Sequence, residues 1–229
     1  MSALILNIET ATTACSVCLA QDDVILTSRE LNNGYSHSEN LHVFIDEVLK
    51  QAGVRPSELN AVAVSKGPGS YTGLRIGVSA AKGLCYSLSI PLIGVNTLQS
   101  MSAGMTLRQK SVEALYCPML DARRMEVYCA LYDENLKEVI PTCAKIIDEN
   151  SILEFSRGKK VFFFGDGAEK CKEFIAVLPD STLIPDVFPS ALQLAKLSFE
   201  AFRKKESENV AYFEPYYLKE FLGTKAQNE

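Results

Sequence analysis

A glycine-rich turn between a buried strand and a helix organises this chain. Ala61-Val62-Ala63-Val64 is an apolar run of strand length. Ser65-Lys66-Gly67-Pro68-Gly69-Ser70 turns the chain, and from Tyr71 to Gly83 small and apolar residues recur at helical spacing. Backbone N–H groups at such a turn can collect an anion. The same glycines serve where a backbone needs room to turn or to approach another. The turn lacks the Lys-Ser/Thr ending of a P-loop.

The surrounding pattern is regular. Leu4 to Ile8 reads as a first strand ending in Glu9-Thr10, with Cys15, Val17 and Leu19 on one face of a second and Val24 to Glu30 as a third. Ser36-His37-Ser38-Glu39 has capping-box spacing with Ser36 as N-cap, and Leu41, Phe44, Ile45, Val48, Leu49 and Ala52 follow on one helical face, closed by Gly53. Pro91 to Val95 supplies a further strand and Leu98 to Leu107 a helical passage. A similar order then restarts. Leu115 to Ala122 and Met125 to Tyr132 form a hairpin across Arg123-Arg124, with Val139 to Ile146 as a third strand. Ser151 to Phe155 starts a helix, and Val161 to Phe164 is a buried strand running into Gly165-Asp166-Gly167. A helix over Ala168 to Leu178, a short strand over Thr182 to Ile184 and a long helix over Pro189 to Lys204 complete the pattern. The doubled order divides the chain into an N-terminal lobe, 1–101, a C-terminal lobe, 102–205, and a tail, 206–229, that packs back on the lobes. Arg203-Lys204-Lys205 and the polar residues from Lys219 read as solvated.

Composition narrows the function classes. A net charge of −5 argues against a chain that holds nucleic acid by itself, since phosphate neutralisation needs clustered Lys and Arg. Apolar runs fall short of the ~18 residues of a membrane helix, and Glu9 interrupts the first of them, against a signal peptide. Seven cysteines without framework spacing suit a reducing cytoplasm.

Several segments resemble the TsaB (YeaZ) family: Ile8-Glu9-Thr10, Gly67 to Gly77, Pro91 to Val95, Asp121-Ala122-Arg123 with Glu126-Val127-Tyr128, and Gly165 to Ala168, in family order, then Pro215 to Lys219. The resemblance implies an α/β, two-lobed actin/sugar-kinase-like fold, a duplicated ribonuclease-H-like core. It also implies a non-catalytic subunit of the bacterial complex that adds a threonylcarbamoyl group to the adenosine beside the tRNA anticodon. Such a subunit binds and stabilises a larger catalytic paralogue, TsaD, and helps recruit an ATPase, TsaE. It forms a homodimer when alone, meets tRNA only through the complex and has no membrane role. ATP/ADP and metal belong to the partner subunits.

The catalytic paralogue carries a His-x-x-x-His pair where this chain has Thr97 and Met101, neither able to replace an imidazole on a divalent metal. His37 and His42 are separated by about 140° on a helix surface, so a shared metal is disfavoured and His37 is expected at the first helical position, exposed. Cys15-x-x-Cys18 on a strand points to opposite faces and reads as core packing. Ser70 and Ser79 lack a supporting histidine motif for nucleophilic catalysis. Glu9, Gly165 and Gly167 stand where nucleotide-binding relatives hold magnesium and adenosine, which leaves weak or vestigial nucleotide binding open. The Asp121-Ala122-Arg123-Arg124 hairpin lacks the glycines of a phosphate loop.

Gly73, Gly77 and Ala81 recur every four residues and give one helix flank almost no side chain. Spacing alone allows either another helix against that flank or close packing within the lobe. The resemblance favours docking, with Gly69, Tyr71, Thr72, Gly73, Arg75, Gly77, Val78, Ala81 and Lys82 as the partner interface. The alternative from another class is an actin-like-fold enzyme, either a small-molecule kinase or a glycoprotease-like metallopeptidase.

Overall fold

Three strands, β1 (Leu4–Glu9), β2 (Cys15–Gln21) and β3 (Val24–Leu31), form the antiparallel meander that alternation predicts. They appear in a computed structural model that describes residues 2–32, 37–156 and 158–219. The expected Ser36 cap lies outside the described residues. Helix α1 (His37–Ala52) buries Leu41, Ile45, Val48 and Leu49, and Gly53 at φ +67° ends it. Strand β4 (Ala61–Gly67) joins β1 in parallel, Ile5 facing Ala61, and β5 (Leu92–Asn96) extends the sheet beyond it. Between them runs α2 (Tyr71–Leu88), capped by the Ser70 hydroxyl and closed by Ser89 in the left-handed region.

Helix α3 (Thr97–Arg108), capped by the Asn96 side-chain Oδ1, which accepts the Leu98 and Gln99 N–H groups, leads to the second sheet. That sheet repeats the first: β6 (Leu115–Asp121), β7 (Glu126–Tyr132) and β8 (Glu138–Ile146) are antiparallel. Next, β9 (Val161–Phe164) and β10 (Ser181–Ile184) add in parallel to β6. Both sheets have the spatial order 3-2-1-4-5 when each is numbered from its own first strand. This is the ribonuclease-H-like order, and its duplication makes the actin/sugar-kinase-like arrangement.

Four differences from the sequence expectations have physical causes. Ser151 to Phe155 is a single 3-10 turn, its last N–H groups satisfied within one turn. The helix expected over Ala168 to Leu178 is two short pieces, α4 (Asp166–Lys170) and α5 (Lys172–Ala176), because the backbone turns at Cys171 to bury that side chain with Ala168 and Ile175. The boundary at 101/102 falls inside α3. Most consequential is α6 (Ala191–Lys204), which the 102–205 division assigns to the second lobe but which covers the first sheet. Leu194 packs there with Ile5, Ala63, Ile93 and Val95, and the Ser198 hydroxyl donates to the Asn7 side chain at 2.7 Å. Conversely α3 covers the second sheet, setting Leu98, Met101 and Met105 against Tyr116, Phe162 and Phe164.

The opposite sheet faces are closed locally. Leu6, Ile8, Val17 and Leu19 meet α1 and α2, while Cys117, Val127 and Phe163 meet α4, α5 and the 3-10 turn. After α6 the chain returns across the first lobe. Glu208 N–H donates to Leu92 O, Phe213 is buried over β5 and α2, and Tyr216 N–H donates to Lys66 O at 2.6 Å. Lys219 then pairs with Glu126 of the second sheet. Arg203, Lys204 and Lys205 are exposed, as a solvated cluster should be.

Candidate functional site

The turn before α2 is shaped by its own lobe. Gly67 has φ +111° and a cis peptide bond to Pro68. A Cβ there would meet Tyr216 O at 2.7 Å. Gly69 sits against the Ala11 carbonyl, Gly73 against the Thr10 carbonyl and Gly77 against the Thr10 hydroxyl, each so closely that any Cβ would collide. The contacts are fastened by hydrogen bonds from Ser70 N–H to Ala11 O, 2.6 Å, and from Thr10 Oγ1 to Gly73 O, 2.8 Å.

This corrects the docking assignment for five of its nine residues. Gly73, Gly77, Val78 and Ala81 are buried within the lobe, and Gly69 is occupied by Ala11. The glycine flank receives the end of β1. Lys82 is also engaged, its ammonium donating to Ala211 O and Phe213 O of the returning tail at 3.2 and 2.9 Å. Tyr71 packs its ring on Tyr217, with centroids 5.0 Å apart, and Arg75 lies over the Tyr71 ring at 5.2 Å. Thr72 and Arg75 remain exposed.

A different surface of the same helix is open. Between α1 and α2 lies a groove of about 600 Å³ with an apolar floor of Ile45, Ile76, Ala80 and Leu84. His42 and Arg75 stand at its rim. Sequence reasoning missed this floor, although a signal was present. Ile76, Ala80 and Leu84 recur every four residues, beside the sheet-facing row of Leu74, Val78, Ala81 and Cys85.

The expectation for His37 also changes. It is the first residue of α1 but is only 3% exposed, because Nε2 donates to Thr12 O at 2.6 Å. Burial lowers its pKa against the opposing pull of that bond. His42 lies apart at the groove rim, and among the described residues no cluster of three metal-ligating side chains forms. Cys15 packs on the helix-facing side of the sheet with Val17 and Leu19, and Cys18 is also buried with a free thiol.

At the end of β1, Glu9 is fully buried. Its Oε1 accepts Ala11 N–H at 2.6 Å, and its Oε2 has no hydrogen-bond partner among the described residues. Burial pushes its pKa up to about 7, opposed mainly by the Ala11 N–H and the Ser65 hydroxyl. Ser65 in turn shares a 2.6 Å hydrogen bond with Thr97. Met101 is fully buried in the second lobe's core, its methyl 3.2 Å from where a Cβ of Gly165 would lie. Thr97 and Met101 are thus used for hydrogen bonding and packing.

The remaining nucleotide-site candidates, Gly165 and Gly167, pack closely against their own lobe. A Cβ on Gly165 would collide with Met119 O, and one on Gly167 would lie 2.7 Å from the Leu120 carbonyl carbon. These glycines let the turn lie directly on β6. Asp166 Oδ1 accepts Asp121 N–H at 2.9 Å. The facing hairpin is filled by Lys170, which pairs with Asp121 and donates to Arg124 O and Glu126 O at 2.7 and 2.6 Å. A phosphate there would need N–H donors, and the hairpin presents carbonyls to a lysine.

Comparison with known proteins agrees with this architecture. The family described as "TsaD: tRNA N6-adenosine threonylcarbamoyltransferase" matches residues 33–221. Two curated relatives are each described as "tRNA threonylcarbamoyladenosine biosynthesis protein TsaB". That of Bacillus subtilis (strain 168) is 29% identical over 219 residues, 94% of this chain and 93% of its own. That of Buchnera aphidicola subsp. Schizaphis graminum (strain Sg) is 33% identical over 180 residues, 75% of this chain and 82% of its own. The solved structure of YeaZ from Pseudomonas aeruginosa has a TM-score of 0.78 at 25% identity, covering 94% of this chain and 100% of that one. The chain belongs to the TsaB (YeaZ) family.

Proposed function

We propose that this chain is a non-catalytic subunit in the biosynthesis of threonylcarbamoyladenosine in tRNA, the process named for its relatives. It binds and stabilises a TsaD-like catalytic paralogue and helps recruit a TsaE-like ATPase. The observation that carries the reading is the α1–α2 groove, an apolar strip left open beside a helix whose other flank is saturated by its own lobe. Burying such a strip contributes roughly 25 cal/mol per Å², and the Arg75 and His42 rim gives it a polar border. The chain takes its nucleotide and metal chemistry from its partners in the cytoplasm, meets tRNA through them, and pairs with itself through the same groove when alone.

Thr97 and Met101 support the division of labour. One is bonded to Ser65 and the other packed in a core, and neither offers a ligand to a divalent metal. The kinase and metallopeptidase readings gain nothing from a hairpin filled by Lys170. The test is reconstitution of tRNA modification with the paralogue and ATPase, with and without this chain. Activity is expected only when the chain is present, and full activity without it overturns the reading.

A further inference from the structure

Cys129 and Cys143 are directly opposed on neighbouring antiparallel strands, Cys129 on β7 and Cys143 on the edge strand β8. Their sulfurs are 3.9 Å apart. Residues opposed in this way have Cα atoms about 4.5–5.5 Å apart, within the span of about 4.4–6.8 Å that a disulfide bridges. A regular ladder holds opposed side chains stiffly, but here the register shifts immediately beyond the pair, between Cys129 and Leu131. Such an irregularity adds local twist and slack.

The two thiols are unequal. Cys129 is fully buried, while Cys143 is half-buried at the sheet edge. Lys145, two residues along on the same strand, shares the Cys143 face, paired with Glu154 and lying over the Phe155 ring at 5.6 Å. A hydrogen bond from Cys129 and the Lys145 charge lower the Cys143 pKa against the opposing effects of burial and the Glu154 carboxylate, whereas the same bond and burial raise that of Cys129.

We propose that Cys143 and Cys129 form a peroxide-reactive dithiol site, with Cys143 as the attacking thiol and Cys129 as the resolving one. The Cys143 thiolate attacks one oxygen of a hydroperoxide. The O–O bond breaks, a sulfenic acid forms, and the leaving alkoxide or hydroxide takes a proton. Cys129 then attacks that sulfur. The S–O bond breaks, its oxygen leaves as water with the Cys129 proton, and an S–S bond forms. Two thiols and one hydroperoxide become one disulfide, one alcohol (water when the oxidant is hydrogen peroxide) and one water. The bond fastens β8 beside Thr142, whose hydroxyl accepts the Asn96 side-chain amide across the two lobes at 3.1 Å.

The experiment treats the folded full chain with equimolar hydrogen peroxide at neutral pH, blocks remaining thiols and maps unreduced peptides by mass spectrometry. A Cys129–Cys143 linked peptide is expected as the dominant product, with Cys15, Cys18, Cys85, Cys117 and Cys171 reduced. Cys143→Ser should slow peroxide consumption about tenfold. Cys129→Ser should leave a sulfenic acid at Cys143 that a dimedone probe captures. Lys145→Gln should slow the reaction severalfold. If a variant fails to fold, mapping of the unsubstituted chain decides alone. The proposal is overturned if that chain gives no linked peptide while circular dichroism shows it folded, or gives one only in denaturant.

Discussion

The Thr10 hydroxyl occupies the position that a side chain on Gly77 would need. The same hydroxyl donates to the Gly73 carbonyl one turn earlier, at 2.8 Å. A single threonine at the end of β1 therefore seats two turns of α2, and the glycines are absent side chains in the service of that seat.

Gly77→Leu should consequently act on folding. Forcing a branched side chain against the Thr10 side chain costs about 1–3 kcal/mol, the range for overpacking a well-packed core. Urea denaturation followed by circular dichroism measures it. Stability within error of the unsubstituted chain would contradict the seat.

The groove behaves differently. Ser79→Arg and Ala80→Glu alter its rim and floor while leaving the Thr10 contact alone. Ser79→Arg, at an exposed position, should change stability by no more than about 0.5 kcal/mol and yet abolish co-elution with the TsaD-like partner on size exclusion. Unaltered co-elution of both variants would remove the groove from the interface.

Glu9 should leave a signature in pH. Its folded pKa of about 7 lies above the ordinary 4.5, so between those values the folded chain holds a proton that the unfolded chain releases. This carboxyl's contribution is therefore fully present below about 4.5, declines as pH rises through 7, and is flat above it. Glu9→Gln removes the decline. The variant should gain about 1–3 kcal/mol relative to the unsubstituted chain between pH 5 and pH 8, read from paired urea titrations. Parallel curves at the two pH values would refute it.

Phe213 anchors the returning tail, 9% exposed in the α1–α2 core. Phe213→Ala should cost about 3 kcal/mol and make the segment from 206 onward more susceptible to limited proteolysis. A protected tail in that variant would assign the anchoring to Lys82 and Glu208 instead.

Much of the fold was legible because its signals are local. Apolar runs such as Val161 to Phe164 and the row of Leu41, Ile45, Val48 and Leu49 declare their elements and buried faces within one segment. What was missed depends on distant partners. The smallness of Gly73 and Gly77 is visible in sequence, but Thr10, which makes it necessary, lies over 60 residues away. The burial of His37 likewise hangs on the Thr12 carbonyl. On α2 the small-residue row of Gly73, Gly77 and Ala81 held the attention, and the equally regular row of Ile76, Ala80 and Leu84 that lines the groove was passed over. The opposition of Cys129 and Cys143 follows from strand register alone. Nothing within α3 or α6 states which sheet each one covers.

That last relationship makes the lobes mutually dependent. Each contributes the roof of the other, since α3 lies on the second sheet and α6 on the first. A chain severed in the 109–114 connection yields two fragments. The first has no α6 and leaves Ile5, Ala63 and Ile93 bare, while the second has no α3 over Tyr116 and Phe162. With those faces uncovered neither fragment should fold by itself, and mixing them should restore helical structure that neither shows alone. The duplicated topology is a pair of interleaved halves, each completed by the other.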